Sequence, residues 1–183
     1  MHLNPKYAHD IILDRDGVIN LDSDQYVKNA DQWVPIAGSL DAIAKLHQAG
    51  HRVFVATNQS GIGRGLFSLN DLQAMHLKMI DLVTQAGGKI TDIAFCPHAP
   101  EDDCACRKPK PGLLTDLAKR NNIALSSAIV IGDSLRDLQA AVAVNAQAML
   151  VLTGKGQKTK QQNPTLSHPT FETLNDAVTF ILT

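Results

Sequence analysis

One stretch constrains this chain more than any other: Ile11-Ile12-Leu13-Asp14-Arg15-Asp16-Gly17-Val18-Ile19-Asn20, an apolar run that ends in two carboxylates and a glycine. A short continuous apolar run reads as a strand buried on both faces. Such a strand delivers its last residue to the rim of a parallel sheet, where open α/β sheets bind ligands. Side chains alternate along a strand, so Asp14 and Asp16 share a face if the strand continues through both. Carboxylates that close repel each other unless a cation or a shared proton relieves them. The same segment also reads as a strand followed by an ordinary Asp-Gly turn.

The pattern then alternates. Leu21 to Pro35 is polar and irregular, with Tyr26 and Trp33 among charges, and is expected to form a loop or small flap over the rim. Leu40, Ile43, Ala44 and Leu46 recur at helical spacing before Gly50. Arg52 to Ala56 reads as a second buried strand, ending in the glycine-rich Thr57-Asn58-Gln59-Ser60-Gly61-Ile62-Gly63-Arg64-Gly65. Ser68 with Asp71 opens a helix carrying Leu69, Leu72, Met75, Met79, Leu82 and Val83 on one face. Ile90 to Phe95 reads as a third strand, Leu113 to Arg120 as a helix, and Ala128 to Ile131 as a fourth strand ending in Gly132-Asp133. Ser134 caps a helix from Leu135 to Val144, Ala148 to Leu152 is a fifth strand, and Leu174 to Leu182 is a last short helix. Strands alternating with helices predict a Rossmann-like parallel α/β sheet with helices on both faces. The 183 residues, without repeat or linker, suit a single domain over 1–183. The loops between elements leave no room for a large cap domain.

Asp14, Thr57 and Asp133 each directly follow a predicted strand and converge on one rim, joined by Asp16 and Lys108. Several carboxylates beside few fixed cations suit Mg²⁺, which takes oxygen ligands and often bridges to phosphate. Lys108, the Thr57 hydroxyl and the N–H groups of Asn58 to Gly61 can receive phosphoryl oxygens. One aspartate can attack phosphorus while a second acid moves the protons. Each residue also has a plainer reading: Thr57 as a strand end, Lys108 as a solvated loop lysine, Asp133 as a helix cap. A net charge of −1 excludes a nucleic-acid or membrane surface held by bulk electrostatics. Met1 to Lys6 lacks the basic-then-apolar form of a secretory signal, which together with the absence of a long apolar run suggests a cytoplasmic protein.

The motifs Asp14-x-Asp16-Gly17-Val18, Thr57-Asn58, Lys108 before a helix, and Gly132-Asp133-Ser134-x-x-Asp137 appear in this order. They resemble those of the haloacid dehalogenase-like phosphatases over about Ile11 to Gly154. The resemblance implies a phosphoric monoester hydrolase with Asp14 as nucleophile and Asp16 as general acid/base. It also implies Mg²⁺ on the Asp14 and Asp133 carboxylates and the Asp16 main-chain carbonyl, the phosphoryl group on Thr57 and Lys108, and Asp137 orienting the metal's waters.

All three cysteines fall in Cys96-Pro97-His98 and Cys104-Ala105-Cys106. Three thiolates and an imidazole make a complete tetrahedral Zn²⁺ set, structural because no position is left vacant. The plain alternative is reduced cysteines beside an unrelated histidine. Zinc there would fix the adjacent Arg107-Lys108. The other histidines, His2, His9, His47, His51, His76 and His168, read as ordinary surface or core residues.

Within the family, the zinc loop and Arg107-Lys108-Pro109-Lys110 are similar to two subgroups. One acts on a heptose 1,7-bisphosphate in the heptose branch of lipopolysaccharide synthesis, the other on histidinol phosphate. The loop from Thr57 to Gly65, with its arginine, resembles the first, and Ser134 stands where some of that subgroup carry lysine. A bisphosphate needs a cation for its second anionic end, and Arg64 and Arg107 can grip phosphate with two parallel bonds. The expected substrate contacts are Asp22, Tyr26, Asn58, Gln59, Ser60, Arg64 and Arg107. The expected partner is a small sugar phosphate bound by a monomer. A zinc-stabilised phosphate-binding module without catalysis is the alternative from another class.

Overall fold

A computed structural model describes residues 9–183. The readings of His2 and of Met1 to Lys6 lie outside it. Strand β1 (Asp10–Leu13) leads to helix α1 (Ser39–Gln48), β2 (Arg52–Asn58), the short α2 (Ser60–Gly63) and α3 (Leu69–Gln85). Then come β3 (Asp92–Cys96), α4 (Gly112–Asn121), β4 (Ile129–Gly132), α5 (Leu135–Ala143), β5 (Gln147–Val151), α6 (Gly156–Gln162), β6 (Thr170–Phe171) and α7 (Leu174–Leu182). The six strands pair in parallel in the order β3-β2-β1-β4-β5-β6. The strand order reverses between β1 and β4, and the carboxyl ends on either side of that reversal frame a crevice. The expected Rossmann-like sheet without a large cap is borne out.

The apolar run of β1 has a two-sided explanation. Ile11 and Leu13 enter one core with residues of α1, α3 and α7, while Ile12 enters the other with α4 and α5. All three are fully buried. Full burial of such a side chain is worth about 1.5–3 kcal/mol, so the centre of the sheet tolerates no polar residue. Leu69, expected on the apolar face of α3, is instead half-exposed at the helix start. Ser68 and Asp71 there exchange the anticipated cap bonds, Asp71 N–H to Ser68 Oγ at 3.2 Å and Ser68 N–H to Asp71 Oδ2 at 2.8 Å. Ser134 caps α5 the other way round. Its N–H and hydroxyl both donate to Asp137 Oδ2, at 3.0 and 2.6 Å.

The segment 21–35 closes at its base through a bridge between Asn20 and Pro35, and the Leu21 N–H donates to Val34 O at 2.9 Å. Trp33 is fully buried rather than among solvated charges, and Lys78 of α3 donates to the carbonyls of Ala30 and Trp33 at 2.6 and 2.9 Å. The flap is therefore anchored to α3, and its tip borders the crevice.

Candidate active site

Strand β1 ends at Leu13, so strand alternation does not align the two carboxylates. The Asp14 N–H still donates to Ile131 O of β4 at 2.9 Å, which holds Asp14 between the ends of β2 and β4. Beyond it the Arg15 carbonyl accepts from the N–H groups of Val18, Ile19 and Asn20, and this tight turn brings Asp16 back to the crevice. Gly17 sits in the turn at φ +82°. A Cβ there would lie 2.1 Å from Asp133 Oδ2, so both its conformation and its space require glycine. Gly154, at φ +55°, closes on the same carboxylate from the other side, where a Cβ would lie 2.3 Å from it.

The crevice is a cleft of about 310 Å³ lined by Asp14, Arg15, Asp16, Asp22, Tyr26, Thr57, Asn58, Gln59, Ser60, Arg64, Arg107, Lys108 and Asp133, among others. Every residue expected to catalyse, to bind substrate or to hold Mg²⁺ thus borders one space. Asp14 Oδ1 accepts from the Arg15 N–H at 2.7 Å and lies 3.0 Å from Lys108 Nζ. Lys108 is buried, lies 2.6 Å from Asp137 Oδ1 and donates to Ala56 O at 2.7 Å. Asn58 fixes the Lys108 backbone by two reciprocal bonds of 3.1 Å. Gln59 is buried, and its Nε2 donates to both Asp16 Oδ2 and Thr57 Oγ1 at 2.8 Å. Because Thr57 Oγ1 accepts there, its own proton is left to donate into the cleft.

Arg64 and Arg107 stand at the mouth. Arg64 pairs with Glu101 at 3.4 Å, and Arg107 donates to His98 O at 3.3 Å. Asp22 pairs with Lys155 at 2.9 Å, and the Lys155 N–H donates to Asp133 Oδ2 at 2.7 Å. Ser134 of the last motif also lines the cleft, as do Arg15, Arg136 and Lys155, which the sequence does not single out as contacts. For Lys155 a signal exists, since the basic stretch Gly154-Lys155-Gly156-Gln157-Lys158-Thr159-Lys160 follows a predicted strand by one residue.

Electrostatics separate the acids. Burial, reinforced by the charges of Asp137 and Asp16 and only partly offset by Lys108, raises the Asp14 pKa to about 7. Burial and the charges of Asp14 and Asp137 raise that of Asp133 to about 8. Desolvation acts on Asp16 too, but the Arg15 guanidinium and donors from Asn20, Arg15 and Gln59 hold it below the usual carboxylate range. Burial opposes the charge of Lys108, yet Asp137 and Asp14 outweigh it and raise the lysine to about 12.

Carboxylate oxygens of Asp14, Asp133 and Asp137 lie within 4.8 Å of one another. Asp137 is already committed to Lys108 and Ser134, so Asp133, and Asp14 with only a share of the Lys108 charge, remain under-compensated. Oxygen donors in excess of nearby cations, in a cradle kept open by two glycines, fit Mg²⁺. The second cluster joins Cys96, His98, Cys104 and Cys106, with Sγ···Sγ separations of 3.1–3.5 Å and His98 Nδ1 at 3.2 Å from Cys106 and 3.6 Å from Cys96. The three cysteines are free thiols, and the set fits tetrahedral zinc.

A family model for HAD-hydrolase-like proteins matches residues 105–177. The chain is 58% identical over 153 residues to D-glycero-β-D-manno-heptose-1,7-bisphosphate 7-phosphatase of Neisseria meningitidis, covering 84% of this chain and 82% of that one. The crystal structure of D,D-heptose 1,7-bisphosphate phosphatase from B. bronchiseptica, complexed with magnesium and phosphate, superposes with a TM-score of 0.92 at 47% identity. That match covers 95% of this chain and 98% of the other. The chain belongs to the haloacid dehalogenase-like hydrolases, as the motif order implied. Within them it is similar to the heptose-1,7-bisphosphate 7-phosphatases, the Pseudomonas putida protein of that name being 54% identical over 83% of this chain and 87% of its own length.

Proposed function

We propose that the chain removes the 7-phosphate of D-glycero-β-D-manno-heptose 1,7-bisphosphate through a phosphoaspartate. The observation that carries this reading is the meeting of Asp14, Lys108, Thr57, Asp16 and Asp133 in one cleft at the sheet's reversal point, in a chain 58% identical to an enzyme of that name.

Asp14 attacks phosphorus, its carboxylate held by Lys108 and the Arg15 N–H. The phosphorus–oxygen bond to the sugar breaks, and the electron pair stays on the sugar oxygen, which takes the proton that Asp16 received from water in the preceding turnover. Lys108 and the Thr57 hydroxyl receive phosphoryl oxygens throughout. Water then attacks the phosphoaspartate and gives its proton to Asp16, the electron pair returns to the Asp14 carboxylate, and inorganic phosphate leaves. Mg²⁺ held by Asp14 and Asp133, with the Asp16 carbonyl, supplies charge neutralisation for an anionic substrate among acids. The acids' raised pKa values support that need. Arg107 and Arg64 receive the phosphate that stays on the sugar, and Asp22 and Tyr26 border the sugar itself. Cys96, His98, Cys104 and Cys106 would hold zinc, which would fix the loop that presents Arg107 and Lys108.

The reading extends to a single-domain monomer acting in the cytoplasm on a small sugar phosphate, without nucleic acid or membrane. The net charge of −1 supports it, and no described helix is long and apolar enough to cross a membrane. Asp14→Asn tests the nucleophile: turnover of the heptose bisphosphate is abolished with the melting transition kept, whereas undiminished turnover removes Asp14 from the role.

A further inference from the structure

Arg15 stands between the two aspartates, and the reaction above uses only its backbone N–H. Its side chain is 1% exposed. Among the described residues Asp16 is its one ion-pair partner. Nη2 lies 3.0 Å from each Asp16 oxygen, and Nε 3.3 Å from Oδ1. Asn20 Nδ2 adds a bond of 2.9 Å to Oδ1, and Gln59 Nε2 one of 2.8 Å to Oδ2. Five contacts thus hold one carboxylate to one pose.

Stability alone does not explain this arrangement. Burying an ion pair is costly, and apolar side chains of similar volume in place of both partners are often neutral or stabilising. Arg15 Nη1 is buried without any hydrogen-bond partner, so the desolvation is not fully offset. What the guanidinium does provide is a rigid planar fork, which fixes the plane of a carboxylate as an ammonium cannot. An acid that must meet a sugar oxygen in one step and a water in the next gains from that fixation.

We propose that Arg15 is a positioning residue for both proton transfers, setting the Asp16 carboxylate where the leaving oxygen and then the attacking water present themselves. This rests on Asp16 being the general acid/base. The role separates substrates by leaving group. A sugar oxygen leaves only when protonated, whereas p-nitrophenolate leaves without a proton.

The test compares kcat/KM for the heptose bisphosphate and for p-nitrophenyl phosphate in wild type, Arg15→Lys, Arg15→Met and Asp16→Asn, with melting curves for each. kcat/KM covers the steps through departure of the leaving group. Both Arg15 variants are expected to lose about 100-fold on the sugar phosphate, the lower end for general acid catalysis, and less than about ten-fold on the aryl ester. They also release a burst of one p-nitrophenolate per chain, because hydrolysis of the phosphoaspartate still requires a placed base. A retained aryl burst and kcat/KM report a folded site, and if Arg15→Met does not fold, Arg15→Lys decides. Equal losses on both substrates, or none, while Asp16→Asn discriminates between them, overturn the role of Arg15. An Asp16→Asn variant that does not discriminate overturns the reading of Asp16 beneath it.

Discussion

Lys108→Met removes one charge from the centre of the site and keeps most of the side-chain volume. The lysine is 3% exposed and lies 2.6 Å from Asp137 and 3.0 Å from Asp14. Taking one partner from a buried ion pair costs about 3–5 kcal/mol, because the other charge stays behind uncompensated. Asp14, with a pKa near 7, relieves itself by taking up a proton. Asp137, 1% exposed and held below the usual carboxylate range against its burial chiefly by Lys108, has no such relief at neutral pH. The expected loss is therefore at the lower end, about 3 kcal/mol near pH 7.5 without Mg²⁺. For a protein of this size that lowers Tm by roughly 6–12 °C. The pH dependence has a definite sign. A depressed carboxylate pKa contributes stability above the unfolded value and loses it as pH falls through the folded value. In the variant, burial acts on Asp137 against the Ser134 donors alone and its pKa rises, so the gap between the two proteins is widest near neutrality and narrows towards about pH 4. Circular-dichroism melts across that range measure it. Equal Tm values at neutral pH, or a gap that grows on acidification, refute the assignment of Lys108 as the charge that holds the site together.

Gly154→Ala places a Cβ 2.3 Å from Asp133 Oδ2 at a backbone φ of +55°. Displacing one carboxylate should raise the Mg²⁺ concentration for half-maximal turnover by about ten-fold or more, read from a metal titration of rate. Because burial raises Asp14 and Asp133 to about 7 and about 8, the metal-free protein loses stability as pH rises from about 4 to about 8. Mg²⁺ binding restores it, releases protons and tightens over the same range, which melts with and without Mg²⁺ and calorimetry in two buffers report. Cys104→Ser should lower bound zinc from one per chain, lower Tm and reduce kcat/KM by about ten-fold, since zinc-ligand loss unfolds the loop ahead of Lys108. Metal analysis by mass spectrometry alongside the kinetics checks this.

The legible parts of the sequence are those where burial leaves one kind of residue. Ile11 to Leu13 and Ile129 to Ile131 are shielded on both faces, so their strands and the polar residues that follow them stand out. Helix α6 has only Gly156 and Thr159 buried, which leaves no apolar stripe for periodicity to show. Strand β6 has two residues, too few for alternation to show. The four-residue α2 hid in a glycine-rich stretch. Long-range polar contacts leave the least trace. Nothing local tells that Arg15 folds under its neighbour, that Asn58 and Gln59 brace Lys108, Asp16 and Thr57, or that Lys155 reaches Asp22. A charge or amide in a loop carries the same local signal whether it faces water or a buried partner.

The measurement that bears most directly on the central claim is kcat/KM for the β and α anomers of D-glycero-D-manno-heptose 1,7-bisphosphate and for histidinol phosphate at fixed Mg²⁺. Phosphorus NMR of the products identifies which phosphate is released. The proposed function predicts a large preference for the β anomer, with the 1-phosphate retained. A preference for histidinol phosphate, or release of the 1-phosphate, contradicts it and removes Arg64 and Arg107 from the distal phosphate.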